Sequence, residues 1–196
     1  MYPPPYYQTD DRRRLQAFLQ QHYFGLLLSN SGGLNFTPLP FLFEWHDENC
    51  RAYCHLARNN PQLSQLDGAA VTVVIQGPHA FVPASCYQQQ PAVSTWNYAL
   101  AELTGTARLL GHQQTLALVR KQEAHSAPGM LQAADYQQKL VQAIVGVEID
   151  ISQMQGRFKL SQNKSASEQQ AVVSYLQQAG QPDTVWKMML NLYQGQ

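Results

Sequence analysis

The run Ala70-Val71-Thr72-Val73-Val74-Ile75 limits the possible folds of this chain more than any other segment. β-Branched side chains are stiff at χ1 and pack well on a pleated surface, so the run predicts a β-strand. Because the run lacks the alternation of a half-exposed strand, both of its faces need apolar cover. The chain must therefore build a β-sheet around this segment.

Further strands are predicted on both sides of this run. Period-two patterns and turn signals place them at residues 24–29, 35–43, 51–57, 94–110 and 145–151, and an extended path resumes at 79–82. The sequence Ser31-Gly32-Gly33 supplies the turn of a hairpin between the first two. Pro38 and Pro40 cannot donate ladder hydrogen bonds, so the second strand must lie at an edge or carry a bulge.

Helices are predicted before, between and after these strands. Asp10 and Asp11 can cap a first helix, and later helices fall at about 112–124, 133–142, 167–179 and 182–194, with a short one near 61–66. The short turns favour antiparallel pairing, which indicates a closed β-barrel with helical flanks. We expect residues 1–166 to form this domain and residues 167–196 to be a helical extension packed on it.

Charge is scarce and balanced in this sequence. Only 13% of the residues are charged, with 13 basic and 13 acidic side chains and an isoelectric point of about 7.0. Long-range attraction to a phosphate backbone should therefore be weak. Residues 167–196 contain a single basic side chain, Lys187, so a DNA-recognition helix would lack phosphate contacts. We do not expect the chain to bind DNA directly.

The sequence also indicates where the protein works. The N-terminus lacks the basic and apolar regions of a signal peptide, and no segment reaches the roughly 18 apolar residues of a membrane span. Three cysteines, Cys50, Cys54 and Cys86, show no disulfide-framework pattern, as expected for reduced thiols. Cys50 and Cys54 would lie about 13 Å apart on one strand, too far to share a zinc ion. We expect a cytoplasmic protein without a membrane or metal site.

The segment His55-Leu56-Ala57-Arg58-Asn59-Asn60-Pro61 is the first candidate for ligand binding. It places a fixed positive charge and amides where a strand gives way to the start of a short helix. The forked guanidinium of Arg58 and free N–H groups at such a junction suit a phosphate. The alternative is an arginine that serves as a surface ion-pair partner.

Two further segments could contact a flat ring. In Gln76-Gly77-Pro78-His79 the glycine permits close approach to a flat ligand, although the segment is also a simple tight turn. In Thr95-Trp96-Asn97-Tyr98 two aromatic residues flank an amide that suits the edge of a heteroaromatic ring. The alternative for Trp96 and Tyr98 is packing in the core.

The segment Phe158-Lys159-Leu160-Ser161-Gln162-Asn163 follows the last strand. One cation, one hydroxyl and two amides in five residues suit an anionic, hydrogen-bonding ligand. The alternative is a solvated loop that begins a helix with Ser165 or Ser167 as its cap. Motifs of serine hydrolases, nucleotide-binding loops and zinc proteases are absent from the sequence, so a hydrolase is not favoured.

Taken together and in this order, these segments resemble the PaiB family of FMN-binding negative transcriptional regulators, which are related to pyridoxamine-phosphate-oxidase-like flavoproteins. The matching stretches are Leu39-Pro40-Phe41-Leu42, His55 to Pro61, Gln76-Gly77-Pro78-His79-Ala80, Trp96-Asn97-Tyr98 and Lys159-Leu160-Ser161-Gln162-Asn163. The resemblance runs from the N-terminus to about residue 178. Two departures fall on Asn59, where many relatives have Ala, and Cys86, where Trp is commoner.

The resemblance implies a fold, a cofactor and an assembly. The fold would be mainly β with α, an FMN-binding split β-barrel that is antiparallel and Greek-key-like, with flanking and C-terminal helices. Two copies would pair as a homodimer, with FMN in grooves at the interface. Arg58 and Lys159 would be the leading phosphate partners, with Ser161, Gln162 and Asn163 beside them. The ring would lie near Gln76, Gly77, Trp96 and Asn97, and His55 and Asn59 complete the predicted cofactor-binding residues; no catalytic residue is predicted.

Three functions remain open from the sequence. The first is a flavin-binding regulator that acts through a partner or through the cellular flavin state. The second is an FMN-dependent oxidoreductase that uses NAD(P)H, because the flavin itself carries that chemistry and needs no acid–base motif. The third is a split-barrel dimer without flavin that serves as a protein-interaction module.

Overall fold

The computed structural model describes residues 4–128, 138, 141–180 and 183–194. The strands are β1 (Gln8–Thr9), β2 (Phe24–Ser29), β3 (Asn35–Pro40), β4 (Leu42–His46), β5 (Asn49–Ala57), β6 (Ala70–Val82), β7 (Thr95–Leu109) and β8 (Ile144–Lys159). The α-helices of the described residues are α1 (Arg12–Gln21), α2 (His112–Ser126), α3 (Ala166–Gln178) and α4 (Asp183–Gln194). Short 3-10 helices occur at Pro5–Tyr7, Pro61–Gln65 and Ala84–Cys86.

The strands form one sheet in the order β3-β2-β6-β7-β8-β5-β4, and β1 pairs with β8. The pairings of β2 with β3 and β6, of β5 with β4 and β8, and of β1 with β8 are all antiparallel. This confirms the predicted antiparallel β fold with helices. Pro38 and Pro40 lie in β3, at one end of the strand order, which confirms their predicted edge position.

Several predicted elements are confirmed with small changes. Asp11 caps α1, since its carboxylate accepts hydrogen bonds from the backbone N–H groups of Arg13 and Arg14 at 2.9 and 3.2 Å. Asn60 caps the short helix at Pro61–Gln65 in the same way, through the N–H of Gln62. The helix predicted at 133–142 falls largely outside the described residues.

Other boundaries differ from the prediction. The stretch 35–43 is split at Phe41, and a separate strand, β4, follows it. β6 continues through Gly77-Pro78 to Val82, although that pair predicted a turn. β8 extends to Lys159, eight residues past the predicted end at 151, where pairing with β1 supports it at Gly156 and Arg157. No helix within the described ranges is long and apolar enough to cross a membrane.

The chain divides into two compact units, and β6, β7 and β8 each contribute residues to both. The first unit contains residues 1–15, 76–101 and 155–196 and includes the packed helices α3 and α4. The second contains residues 16–75 and 102–154 and includes α2, which packs against β5. The predicted division at residue 166 stays a prediction.

In the second unit, the run from Ala70 to Ile75 is covered on one face only. Val71, Val73 and Ile75 are at most 4% exposed, whereas Thr72 and Val74 are half-buried. Their cross-strand partners on β2 are Leu28 and Leu26, which are half-buried as well. The expectation of apolar cover on both faces is therefore not met within this unit.

Candidate functional site

Lys159 is the last residue of β8 and the central cation of the first unit. Its Nζ donates hydrogen bonds to the Thr95 hydroxyl at 2.5 Å and to the Trp96 carbonyl at 2.6 Å. Burial lowers the pKa of Lys159, and the positive charge of Lys164 lowers it further. Lys159 is therefore a partly desolvated cation held at a fixed place beside the start of β7.

Lys164 supplies a second positive charge near Lys159. Its Nζ lies 4.6 Å from the centre of the Tyr87 ring, a cation–π contact. Within the described ranges, neither lysine forms a salt bridge with a carboxylate. Two neighbouring cations without an anionic partner repel each other, and an anion placed between them would relieve that repulsion.

The loop that joins β8 to α3 is held in a fixed shape by its own side chains. Ser161 has a φ of 66° and is only 4% exposed, so a residue other than glycine occupies the left-handed region inside the protein. The Gln162 side chain accepts a hydrogen bond from the N–H of Leu160 at 2.6 Å and donates one to the carbonyl of Phe158. The Ser165 hydroxyl accepts from the N–H of Glu168 and caps α3, as the alternative of a loop that begins a helix predicts.

Asn97 lies inside the first unit and is not exposed at all. Its Nδ2 donates to the Ser161 hydroxyl at 2.9 Å and contacts the Met189 sulfur at 3.6 Å. Because buried amides need partners, this arrangement connects β7, the loop after β8 and α4. The position suits a residue that fixes the site rather than one that touches a ligand directly.

Tyr7 packs against the same loop from the N-terminal segment. Its hydroxyl donates to the Oδ1 atom of Asn163 at 3.0 Å, and its ring centre lies 5.9 Å from the Lys159 Nζ. Tyr7 is 6% exposed, so the contact is well shielded from water. Sequence reasoning missed both Tyr7 and Lys164; the only available signals were the aromatic residues before β1 and a lysine one position beyond the matched motif.

Trp96 presents an exposed aromatic surface next to Lys159. Trp96 is 53% exposed, and the centre of its ring lies 5.7 Å from that of Phe81 and 6.0 Å from that of His79. The alternative that Trp96 is a core residue is wrong, since Asn97 is the buried residue at this point of β7. Gln76 and Gly77 precede His79 on β6, and the Gln76 Nε2 atom lies 3.4 Å from the His79 Nδ1 atom.

The second unit holds the predicted residues His55, Arg58 and Asn59. The Arg58 guanidinium donates from Nε to the Gln142 carbonyl at 2.7 Å and from Nη2 to the Ile144 carbonyl at 2.9 Å. Arg58 therefore ties the end of β5 to the start of β8, and within the described residues it forms no ion pair. Asn59 is exposed, and His55 Nδ1 lies 2.8 Å from the Gln122 Oε1 atom.

Comparison with known proteins identifies the class to which this chain belongs. A family model described as "Putative FMN-binding domain" matches residues 1–153. The chain therefore belongs to this family of FMN-binding domains, and its cofactor is FMN or a related flavin.

A curated relative extends the match over nearly the whole chain. The protein named "Protease synthase and sporulation protein PAI 2" from Bacillus subtilis (strain 168) is 28% identical over 198 residues, covering 93% of this chain and 92% of that protein. The resemblance to the PaiB family is therefore confirmed. An uncharacterised protein of Emericella nidulans is also 28% identical, over 64% of this chain and 66% of its own length.

Solved structures confirm the split-barrel fold. The FAD and heme binding protein from Mycobacterium smegmatis has a TM-score of 0.64 at 19% identity, over 84% of this chain and 79% of that one. The flavocytochrome Anf3 from Azotobacter vinelandii has a TM-score of 0.64 at 16% identity, over 85% of this chain and 75% of that one. At these identities the likeness concerns the fold alone.

The residues of the first unit fit the phosphate of FMN. Neither Lys159 nor Lys164 forms a salt bridge with a carboxylate in the described residues, and the loop around Ser161 is already fixed in shape. A phosphate dianion would offset both the burial of Lys159 and its repulsion by Lys164. Trp96, whose backbone carbonyl accepts a hydrogen bond from Lys159, is exposed, and its ring offers a surface on which a flat heteroaromatic ring can stack.

Proposed function

We propose that this protein is an FMN-binding regulatory protein of the PaiB type that works as a cytoplasmic homodimer. The observation that carries the proposal is the pair Lys159 and Lys164, which has no carboxylate partner in the described residues and lies beside the exposed Trp96. In this proposal the lysines bind the flavin phosphate and Trp96 contacts the ring. Bound FMN would supply electron or hydride transfer.

The individual residues have distinct proposed roles. Lys159 and Lys164 neutralise the phosphate, while Ser161, Gln162 and Asn163 shape the loop that holds it. Gln76 and Gly77 lie beside the ring, and Asn97 fixes the strand that carries Trp96. Arg58 and Asn59 are proposed to reach the cofactor as well, although the contacts of Arg58 with two backbone carbonyls support a structural role beside it.

The half-covered sheet face of the second unit supports the proposed homodimer. Phe24 and Phe36 are 63% and 64% exposed, and they lie on β2 and β3, whose register places Phe36 opposite Leu28. Leu28 in turn lies opposite Thr72 on the central run. A contiguous apolar face of this kind marks an interaction surface, and the sequence already requires cover on this side. A second copy of the chain would supply that cover.

A regulatory role without direct DNA contact fits the distribution of charge. The chain carries no net charge, and residues 167–196 contain only Lys187 as a basic side chain. The name of the Bacillus relative refers to protease synthesis and sporulation, which are processes rather than a reaction. We therefore propose that the protein acts through a protein partner or through its flavin state. Its three cysteines form no disulfide in the described residues, which supports a reducing, cytoplasmic location.

Consumption of NADH and NADPH by the FMN-loaded protein distinguishes the regulator from the oxidoreductase. A regulator should oxidise either nucleotide no faster than the same concentration of free FMN. Turnover well above that background, lost in the Lys159→Met variant, would instead establish the oxidoreductase. The Lys121→Met variant is a matched control, because Lys121 pairs with Glu44 at 2.6 Å in the second unit.

Transcript levels test the regulatory half of the proposal. A host that lacks its own copy of the gene is supplied with the wild-type protein or with the Lys159→Met variant at equal abundance. We expect the wild type to lower a defined set of transcripts and the flavin-deficient variant to leave them unchanged. Identical transcript profiles in the empty host and in the host with wild-type protein would contradict a regulatory role.

A further inference from the structure

Tyr7 contacts two residues that the proposed function places at the flavin phosphate, Lys159 and Asn163. Its ring centre lies 5.9 Å from the Lys159 Nζ atom, and its hydroxyl lies 3.0 Å from the Asn163 Oδ1 atom. All three residues belong to the first unit. One buried ring therefore connects the cation at the end of β8 with an amide of the loop that follows it.

The Tyr7 ring is held in place by its own segment. Tyr7 ends the short helix Pro5–Tyr7, where its N–H donates to the Pro4 carbonyl at 3.0 Å, and β1 follows directly and pairs with β8. The Tyr6 ring meets it edge to face, with the ring centres 4.4 Å apart. Because Tyr7 is also only 6% exposed, its hydroxyl has a defined position from which it can orient a neighbouring side chain.

The hydrogen bond from Tyr7 determines which end of the Asn163 amide stays available. An asparagine amide accepts through Oδ1 and donates twice through Nδ2. The Tyr7 hydroxyl donates to Oδ1, and no residue of the described ranges accepts a hydrogen bond from Nδ2. Asn163 is exposed, so these two N–H groups can donate to a ligand. Without the hydroxyl, the amide could turn about its last torsion and present its oxygen, which repels a phosphate.

Lys159 has one donor left for the same ligand. Its ammonium group carries three N–H groups. Two of them donate to the Thr95 hydroxyl and to the Trp96 carbonyl, and the described residues provide no acceptor for the third. The face of the Tyr7 ring attracts the ammonium group, which favours its position beside the loop.

We propose that Tyr7 is a positioning residue for the flavin phosphate: its hydroxyl holds the Asn163 amide so that the Nδ2 donors, with the third donor of Lys159, are available to the phosphate. This role rests on the proposed function, since it requires the phosphate at the loop after β8. The hydroxyl acts only through Asn163. Its loss should therefore weaken the binding of a ligand with a phosphate and spare a ligand without one.

The Tyr7→Phe variant of the full-length protein tests this role, because it removes the hydroxyl and keeps the ring beside Lys159. Calorimetric titration should show FMN bound about 3- to 10-fold more weakly, the equivalent of one net hydrogen bond, and riboflavin bound as by the wild type. In an Asn163→Ala background, Tyr7→Phe should cause no further loss of FMN affinity, because the amide that the hydroxyl positions is absent.

The matched control is Tyr6→Phe, which removes a hydroxyl from the neighbouring tyrosine. Tyr6 is 54% exposed, and the variant should bind FMN like the wild type. Equal losses of FMN and riboflavin in Tyr7→Phe would show a merely structural hydroxyl and overturn the role, as would a full further loss in the Asn163→Ala background.

The Lys159→Met variant separates failure of this role from failure of the proposed function. Normal FMN affinity in Tyr7→Phe beside weakened affinity in Lys159→Met would overturn the role of Tyr7 and leave the proposed function intact. Normal FMN affinity in both variants would overturn the two together.

Discussion

Lys159 has surroundings that suit the proposed binding of an anion. Its ammonium group has lost part of its hydration, and the nearby Lys164 adds repulsion, so both effects lower its pKa. Its two hydrogen bonds, to Thr95 and to the Trp96 carbonyl, hold the charge in place without neutralising it. These features raise the free energy of the unbound site, and in the proposed function the binding of a phosphate would lower it.

The Lys159→Met variant should weaken FMN binding about 10- to 150-fold, because a charged hydrogen bond contributes roughly 1.5–3 kcal/mol. Riboflavin, which lacks the phosphate, should bind both proteins almost equally. Calorimetric titration with the two ligands measures the effect, and Lys121→Met serves as the control. Equal losses for FMN and riboflavin would place Lys159 away from the phosphate.

The pH dependence of binding follows from the same residue. As the pH rises through the lowered pKa of Lys159, the side chain loses its proton, so the affinity for FMN relative to riboflavin should fall within the alkaline range, below the ordinary lysine value. The Lys159→Arg variant stays protonated there, and its affinity ratio should remain flat between roughly pH 7 and 10. A wild-type ratio that is flat over the same range would contradict this account.

Asn97 should matter more for stability than for direct contact with the cofactor. The Asn97→Ala variant leaves the buried Ser161 hydroxyl without its amide partner, so we expect the free energy of unfolding to fall by about 1–3 kcal/mol. Urea denaturation measures the loss. Asn59→Ala, a change at an exposed amide, should leave the midpoint nearly unchanged. Similar effects of the two substitutions would count against the buried network.

At the scale of secondary-structure elements, the short pairing of β1 with β8 depends on Gly156. A Cβ atom at this position would lie 2.7 Å from the Thr9 Cγ2 atom and 3.0 Å from the Leu15 Cδ2 atom. Tyr7, which contacts Asn163, immediately precedes β1. The pairing therefore holds the N-terminal segment against the proposed phosphate loop.

The Gly156→Ala variant should destabilise the protein by about 1–3 kcal/mol, the usual cost of overpacking. The control is Gly111→Ala, because a Cβ atom there meets only the Gln114 Oε1 atom, at an ordinary 3.7 Å. Thermal or urea unfolding of both variants measures the difference. A Gly156→Ala protein as stable as the Gly111→Ala protein would show that this close approach relaxes without cost.

The elements that the sequence predicted well are those with strong local signals. The run around Val73 and the cap at Asp11 depend on residues a few positions apart, and both are confirmed. The end of β8 was missed because Gln153 to Gly156 lack an apolar alternation, and its support comes from β1, far away in sequence. β4 was missed because no glycine marks its hairpin; Asp47 adopts the positive φ of 52° instead.

The candidate site was predictable to the same extent. One motif of five consecutive residues contains Lys159, Ser161, Gln162 and Asn163, so the sequence alone identified all four. Tyr7 lies 156 residues before Asn163, and the sequence around either residue does not predict their contact. The alternation that suggested a buried Trp96 has the opposite phase in the structure, because Asn97 finds polar partners inside the protein and Trp96 does not require them.

At the scale of the whole molecule, the uncovered face of the central run predicts the assembly. The double variant Phe24→Ser with Phe36→Ser removes the most exposed aromatic rings of that face, so the dimer should dissociate to monomers at micromolar concentration. Sedimentation measures the mass, and Val93→Ser, at an 82% exposed position elsewhere, is the control. A double variant that remains dimeric would place the interface on another surface.

We propose that this family member binds FMN at the lysine cluster as a homodimer. The most direct test is titration of the flavin-free protein with FMN, with flavin fluorescence and molecular mass recorded on the same sample. The account predicts saturable quenching at one FMN per chain in a dimer, and loss of that saturation in the Lys159→Met, Lys164→Met double variant. Binding by the double variant that equals the wild type, or a wild type that is monomeric when saturated, would contradict it.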